Sequence, residues 1–187
     1  MDARGLRRCL ARFTTGVTVV TYQTPEGTRG ATINSFTSVS MDPPLVLISL
    51  ARKAQACAAL DGVPFAINVL RSDQMDVALQ FAGRPRPGAH IPWDQVDGAV
   101  APSLSQAVAV FRCRPWQRYD GGDHVLQLGE VVDAEIRGGD PLVFGDGRFT
   151  VLGLPIMDGP LVYSLDQPPA PGWTGAVHRL HHLTESG

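Results

Sequence analysis

The sequence predicts a mainly β fold: a closed or nearly closed barrel of roughly seven strands with two or three short peripheral helices. The chain carries 20 glycines and 15 prolines in 187 residues, so turns are many. Many turns between short apolar runs favour strands over a helix bundle. Two long segments that alternate apolar and polar residues, 107–114 and 125–136, read as antiparallel neighbours across Tyr119-Asp120-Gly121-Gly122-Asp123. Closing the sheet hides the edges such strands would expose.

Composition bounds the class. With 16 Lys+Arg against 18 Asp+Glu the net charge is -2, and no basic run exceeds Arg7-Arg8. That argues against a nucleic-acid binder, whose affinity comes from neutralised phosphates. Hydrophobic residues make up 44% and charged residues 18%, too apolar for disorder. The longest strongly apolar run, 45–51, falls far short of the ~18 residues of a membrane span. A chain of this mass buries roughly 70% of its unfolded surface, enough for one core. Cys9, Cys57 and Cys113 are odd in number and far apart, so the expected state is reduced and the expected location cytoplasmic. No secretory apolar stretch follows the arginines of residues 4–12.

Along the chain, residues 3–13 place Leu6, Cys9, Leu10 and Phe13 at helical spacing between arginines, an amphipathic helix expected to pack on the sheet. Val17-Thr18-Val19-Val20-Thr21-Tyr22 is a β-branched strand, and the turn Pro25-Glu26-Gly27 makes it a hairpin with 29–36. Asp42-Pro43-Pro44 breaks the chain before Leu45-Val46-Leu47-Ile48-Ser49-Leu50, whose apolarity reads as a strand buried on both faces. Residues 54–60 suit a helix ended by Asp61-Gly62, and 64–70 the next strand. Ser72 is the expected N-cap of a helix over 72–82, which Gly83 stops. Residues 84–97 form a loop anchored by Trp93. A last strand pair is expected at 142–144 and 149–151 around Gly145-Asp146-Gly147. Prolines at 155, 160, 168, 169 and 171 mark 153–187 as an extension to a domain of residues 1–152.

Several chemistries are absent. There is no G-x-S-x-G, Walker or H-E-x-x-H motif, and Gly145-Asp146-Gly147 lacks the third glycine of a dinucleotide fingerprint. His178, His181 and His182, with Asp166 nearby, have metal-like spacing but read as histidines on a solvated tail, so no metal site is expected. Cys113, inside an alternating strand, reads as a packed small hydrophobe rather than a thiol catalyst.

The informative stretch is Gly30-Ala31-Thr32-Ile33-Asn34-Ser35-Phe36-Thr37-Ser38-Val39-Ser40-Met41-Asp42-Pro43-Pro44-Leu45. A strand leaving a barrel through small polar residues gathers hydroxyls, an amide and backbone N–H groups, a neutral cradle for phosphate and a polar ring edge. An ordinary Ser/Thr-rich turn is the alternative. Read as Gly-x-Thr-x-Asn-Ser-Phe-x-Ser-Val-Ser-x-Asp-Pro-Pro-Leu, the stretch resembles the signature of the flavin reductase family, which has the FMN-binding split-barrel fold and provides the reductase components of two-component flavin-dependent monooxygenases. The resemblance runs on in order through Phe13-Thr14-Thr15-Gly16-Val17-Thr18-Val19-Val20-Thr21, Phe65-Ala66-Ile67-Asn68-Val69-Leu70, Gln80-Phe81-Ala82-Gly83, Trp93, Cys113, Gly122-Asp123-His124 and Gly129-Glu130-Val131.

The resemblance implies a homodimer that binds FMN or FAD near its interface, takes hydride from NADH or NADPH and passes reduced flavin to a partner monooxygenase. Thr32, Ile33, Asn34 and Ser35 would hold the isoalloxazine edge and ribityl chain. Ser49, Leu50, Ala51 and Arg52 would line the next stretch, and Lys53 would face the phosphate as a point charge. Phe81 would close over the flavin. His124 would stand near the nicotinamide as the catalytic residue, or order its loop through a structural hydrogen bond, with Asp123 beside it able to serve either purpose. The family usually has Ser or Thr where this chain has Ala54 and Ala56, so the flavin phosphate would meet fewer hydroxyls. Two other readings share the fold: a flavin-binding protein that does not reduce flavin, and a flavin-dependent enzyme acting directly on a small organic substrate.

Overall fold

Strands form where β-branched and apolar residues alternate, and the computed structural model describes them over residues 2–88, 90–94 and 98–155. The segment from residue 156 onward, including His178, His181 and His182, lies outside the described residues. In chain order the elements are Ala3–Leu10 (α1), Thr15–Gly16 (β1), Thr18–Thr24 (β2), Gly27–Ile33 (β3), Thr37–Met41 (β4), Pro44–Ala51 (β5), Gln55–Ala59 (α2) and Phe65–Val69 (β6). Met75–Phe81 (α3), Trp93–Asp94 (β7), Ser103–Leu104 (β8), Ala109–Gly121 (β9), His124–Ile136 (β10), Val143–Gly145 (β11) and Arg148–Thr150 (β12) follow.

Seven strands pair antiparallel in the order β3-β2-β6-β9-β10-β5-β4. β3 and β4 stand at opposite ends of that order, yet only Asn34, Ser35 and Phe36 separate them. The chain from Ile33 to Thr37 can span at most about 14 Å, so the sheet curls until its two ends approach there. Alternation then sends side chains into two cores. Val20, Tyr22, Val46, Ile48, Leu50, Phe65, Ile67, Cys113 and Val125 share one with α2 residues Ala56 and Cys57. Val17, Val19, Ala66 and Val110 pack on the opposite side against Val77 and Ala78 of α3.

Three expectations are corrected. β5 is buried on one face only: Val46, Ile48 and Leu50 are buried, while Leu45, Leu47 and Ser49 are half-buried, because the second core covers the other face of the sheet at β2, β6 and β9 and does not reach β5. Ser72 does not cap α3. Its N–H donates to the Asp140 carbonyl at 2.8 Å within a bridge between Arg71 and Pro141, and the helix starts after Gln74. α1 buries none of its residues, although Asp2 caps it, and its apolar Leu6 and Leu10 remain exposed.

Where the two cores meet the loops, Asn68 and Arg112 tie strands together through their side chains. The Asn68 side chain donates to the Val19 carbonyl and to Thr21 Oγ1, both at 2.9 Å, and accepts from the Leu104 N–H at 2.8 Å, stapling β8 to β2 and β6. Arg112, Arg137, Asp94, Asp133 and Glu135 form an ion-pair network that ties β7 to β9 and β10. Trp93 meets Phe81 edge-on, with ring centroids 5.8 Å apart, as the expected anchor of the loop; residues 89 and 95–97 of that loop lie outside the described residues.

Candidate functional site

One cleft of about 300 Å3 opens where the β3–β4 link, the end of β5, the start of α2 and the start of β10 converge. It is lined by Ala31, Thr32, Ile33, Asn34, Ser35, Ser49, Leu50, Ala51, Ala54 and His124. Eight of the eleven residues carried over from the family signature therefore meet around it: Thr32, Ile33, Asn34, Ser35, Ser49, Leu50, Ala51 and His124. The ladder explains the convergence, since His124 pairs with Ala51 and so begins β10 beside the end of β5.

Within the cleft the polar groups divide into those already engaged and those free to bind. Thr32 Oγ1 donates to the Ala78 carbonyl of α3 at 2.6 Å, so its hydroxyl serves packing while its backbone lines the cleft. Ser35 Oγ is bonded to the Ser49 backbone. The Asn34 amide is exposed and has no partner among the described residues. Leu50 reaches the cleft from the first core, and Ile33 packs against that core, so they make the floor apolar.

His124 is half-exposed, and its Nδ1 lies 2.7 Å from Asp123 Oδ1. The hydrogen bond from His124 holds the Asp123 carboxyl below the usual carboxylate range, with the charge of Arg7 assisting last and least. An ionised carboxylate only accepts, so Nδ1 carries a hydrogen, and of the two tautomers of a neutral ring this pairing selects the one with Nε2 as acceptor.

Arg52, Lys53 and Phe81 are placed elsewhere. Arg52 Nε donates to the Gly122 carbonyl at 2.7 Å, and its guanidinium pairs with Asp120 at 2.9 Å. It borders a second groove, of about 370 Å3, with Arg118, Tyr119, Asp120 and Val125. Lys53 is exposed in the turn before α2 and has no ion-pair partner among the described residues. Phe81 packs on the α3 side of β3: a Cβ built on Gly30 would lie 2.9 Å from its ring, so the absence of a side chain at Gly30 makes room for the ring.

The two alanines noted in the sequence part company. Ala54 lines the cleft and occupies the N-cap of α2 with no side-chain cap, whereas Ala56 is 3% exposed within the first core. Arg118 holds α2 in place by donating to the Cys57 carbonyl at 2.7 Å and pairing with Asp61 at 3.0 Å. Ala31 is a lining residue that the signature alone did not single out; its signal is strand alternation with Ile33. Among the described residues no cluster of His, Cys, Asp or Glu can hold a metal ion, and no helix is long and apolar enough to cross a membrane.

Comparisons with known proteins agree with this geometry. The chain is 44% identical over 149 residues to the FMN reductase (NADH) SmoA of Agrobacterium fabrum, covering 79% of this chain and 85% of that protein. It is 42% identical over 155 residues to an NADH-dependent FAD reductase of Streptomyces globisporus, again covering 79% and 85%. Its fold matches that of BorF, the flavin reductase component of a bacterial two-component tryptophan halogenase, with a TM-score of 0.71 and 38% identity over 81% of this chain and 98% of that one. The sequence model of the family described as "Flavin reductase like domain" matches residues 10–153, the span that holds the curled sheet and every residue of the cleft, and the chain belongs to that family.

Proposed function

We infer that this chain is a nicotinamide-dependent flavin reductase that binds FMN or FAD in the cleft, uses NADH or NADPH as hydride donor, and supplies reduced flavin to a partner flavin-dependent monooxygenase. The observation that carries this reading is the meeting of four separate segments, residues 31–35, 49–51, 54 and 124, around one small-molecule-sized cleft with an apolar floor and a free amide. Flavin, when bound, would supply the hydride-accepting ring, with the nicotinamide nucleotide as donor. Asn34 and the backbone of residues 32–35 hold the polar ring edge, while Ala31, Ile33 and Leu50 bound the ring without competing polar groups. Ala51 keeps that wall shallow. Lys53 supplies positive charge toward the phosphate. His124 orients the nicotinamide through Nε2, and Phe81 acts behind β3 by supporting it at Gly30.

The same reading takes the curled sheet as a closed split barrel and the protein as a cytoplasmic homodimer, with residues 1–152 as the reductase domain and 153–187 as an extension. Support for the dimer lies at the β4 edge of the sheet. β4 ends the strand order, its Val39 and Met41 are exposed, and Leu45 and Leu47 of β5 are only half-buried. The three free cysteines suit a reducing compartment.

Anaerobic bleaching of flavin absorbance by NADH or NADPH, followed by excess free flavin, tests the activity. Many turnovers are expected. A single slow turnover, or none, overturns the reductase and favours a flavin-binding protein or an enzyme acting directly on an organic substrate.

A further inference from the structure

We propose that Arg52 is a positioning residue for His124, acting through the β9–β10 turn and touching neither flavin nor nicotinamide. The proposal rests on the reading of His124 as the residue on the nicotinamide side. Gly121 and His124 pair directly, so the hairpin turns on Gly122 and Asp123 alone, with Gly122 at φ +76°. Arg52 follows the last residue of β5 and pins this turn at three points. Its Nε donates to the Gly122 carbonyl at 2.7 Å, its guanidinium pairs with Asp120 Oδ1 at 2.9 Å, and its own N–H donates to the Asp123 carbonyl at 3.0 Å. The same Asp120 oxygen accepts the Gly122 N–H at 2.8 Å.

The carbonyls of Gly122 and Asp123 belong to the two peptide planes that flank the Asp123 Cα. Holding both fixes the direction in which the Asp123 side chain leaves the backbone. Its carboxylate in turn holds His124 Nδ1 at 2.7 Å and selects the ring tautomer. The guanidinium itself lies along the second groove and is not among the residues lining the cleft. A lysine would keep the charge at this position but lacks the planar fork that reaches Gly122 and Asp120 together.

The test uses the full chain and four variants: Arg52→Gln, Arg52→Lys, His124→Ala and the Arg52→Gln/His124→Ala double. Flavin affinity is read by titration, kcat and KM for NADH by steady-state assay, and the His124 tautomer by imidazole 15N shifts in the flavin-free protein, assigned against His124→Ala. Arg52→Gln is expected to lower kcat/KM for NADH about three- to thirtyfold, with flavin affinity unchanged. The single-tautomer 15N pattern should be lost, Arg52→Lys should not rescue, and the double variant should lose no more than His124→Ala. Weaker flavin binding that Arg52→Lys restores would overturn the proposal by making Arg52 a phosphate contact. An unchanged 15N pattern in both Arg52 variants would overturn it too, even with His124 essential. Wild-type kinetics in His124→Ala would instead remove the reading of His124 and the proposal with it.

Discussion

Ser35 and Ser49 are joined twice through one hydroxyl: Ser35 Oγ donates to the Ser49 carbonyl at 2.8 Å and accepts the Ser49 N–H at 3.0 Å. A side chain on the β3–β4 link thus does for β5 what a neighbouring strand would do, closing the cleft wall where no strand pairs. Ser35→Ala leaves both backbone groups without that partner in a part-buried setting. The expected loss of stability is about 1–3 kcal/mol, with weaker flavin binding from the loosened wall. Urea denaturation and flavin titration check it; unchanged values in both would show that water replaces the hydroxyl without cost.

Ala54 and Ala56 predict opposite outcomes for the same substitution. Ala54→Ser adds a cap to α2 and a hydroxyl to the cleft, and is expected to stabilise by about 0.5–1 kcal/mol and to tighten flavin binding severalfold. Ala56→Ser puts a hydroxyl into the first core and is expected to destabilise by about 1–3 kcal/mol. Thermal melts and flavin titrations of the two variants side by side decide whether the missing hydroxyls matter at one position or two.

Gly129 leaves no room for a side chain. A Cβ there would lie 2.5 Å from the end of the Phe65 ring and 2.9 Å from the Cys113 Cβ. Gly129→Ala is therefore expected to cost about 1–3 kcal/mol by overpacking. The denaturant midpoint measures it, and a change under half a kcal/mol would mean that the Phe65 ring moves aside freely.

Burial pushes the Cys113 thiol up to about 12 from its ordinary 9.0. The unfolded thiol ionises first as pH rises, so this contribution is complete below about pH 9 and lost progressively up to about pH 12. At about 1.4 kcal/mol per unit it amounts to something on the order of 4 kcal/mol. Tyr22, raised by burial against the charge of Arg29, acts in the same direction. Wild-type Tm should therefore fall more steeply between pH 9 and 12 than that of Cys113→Ala. At neutral pH a thiol reagent should modify exposed Cys9 rapidly, and buried Cys57 and Cys113 only on unfolding. Rapid labelling of all three cysteines in the folded protein would contradict the burial on which both expectations stand.

The hairpins were legible because their signals are local. Pro25-Glu26-Gly27, Gly121-Gly122-Asp123 and Gly145-Asp146-Gly147 all turn where backbone chemistry demands it, and alternation of apolar residues marks the strands between them. β4 was less visible because Thr37-Ser38-Val39-Ser40-Met41 has no buried face to impose alternation, and its pairing with β5 defines it instead. The expected burial of β5 on both faces failed because apolarity does not reveal which side a curled sheet leaves open.

By itself the sequence determined the β-rich class and the strand order along the chain, since each depends on neighbours a few residues apart, while the resemblance to a family signature named most of the residues that line the cleft. Only the tertiary structure decided which of those side chains are available to a ligand. Thr32 and Ser35 spend their hydroxyls on Ala78 and Ser49, Ala56 turns into the core while Ala54 lines the cleft, and Arg52 grips a turn 70 positions away in sequence. Those assignments depend on contacts between distant segments, where burial and hydrogen-bond geometry choose among partners that a linear pattern leaves equivalent.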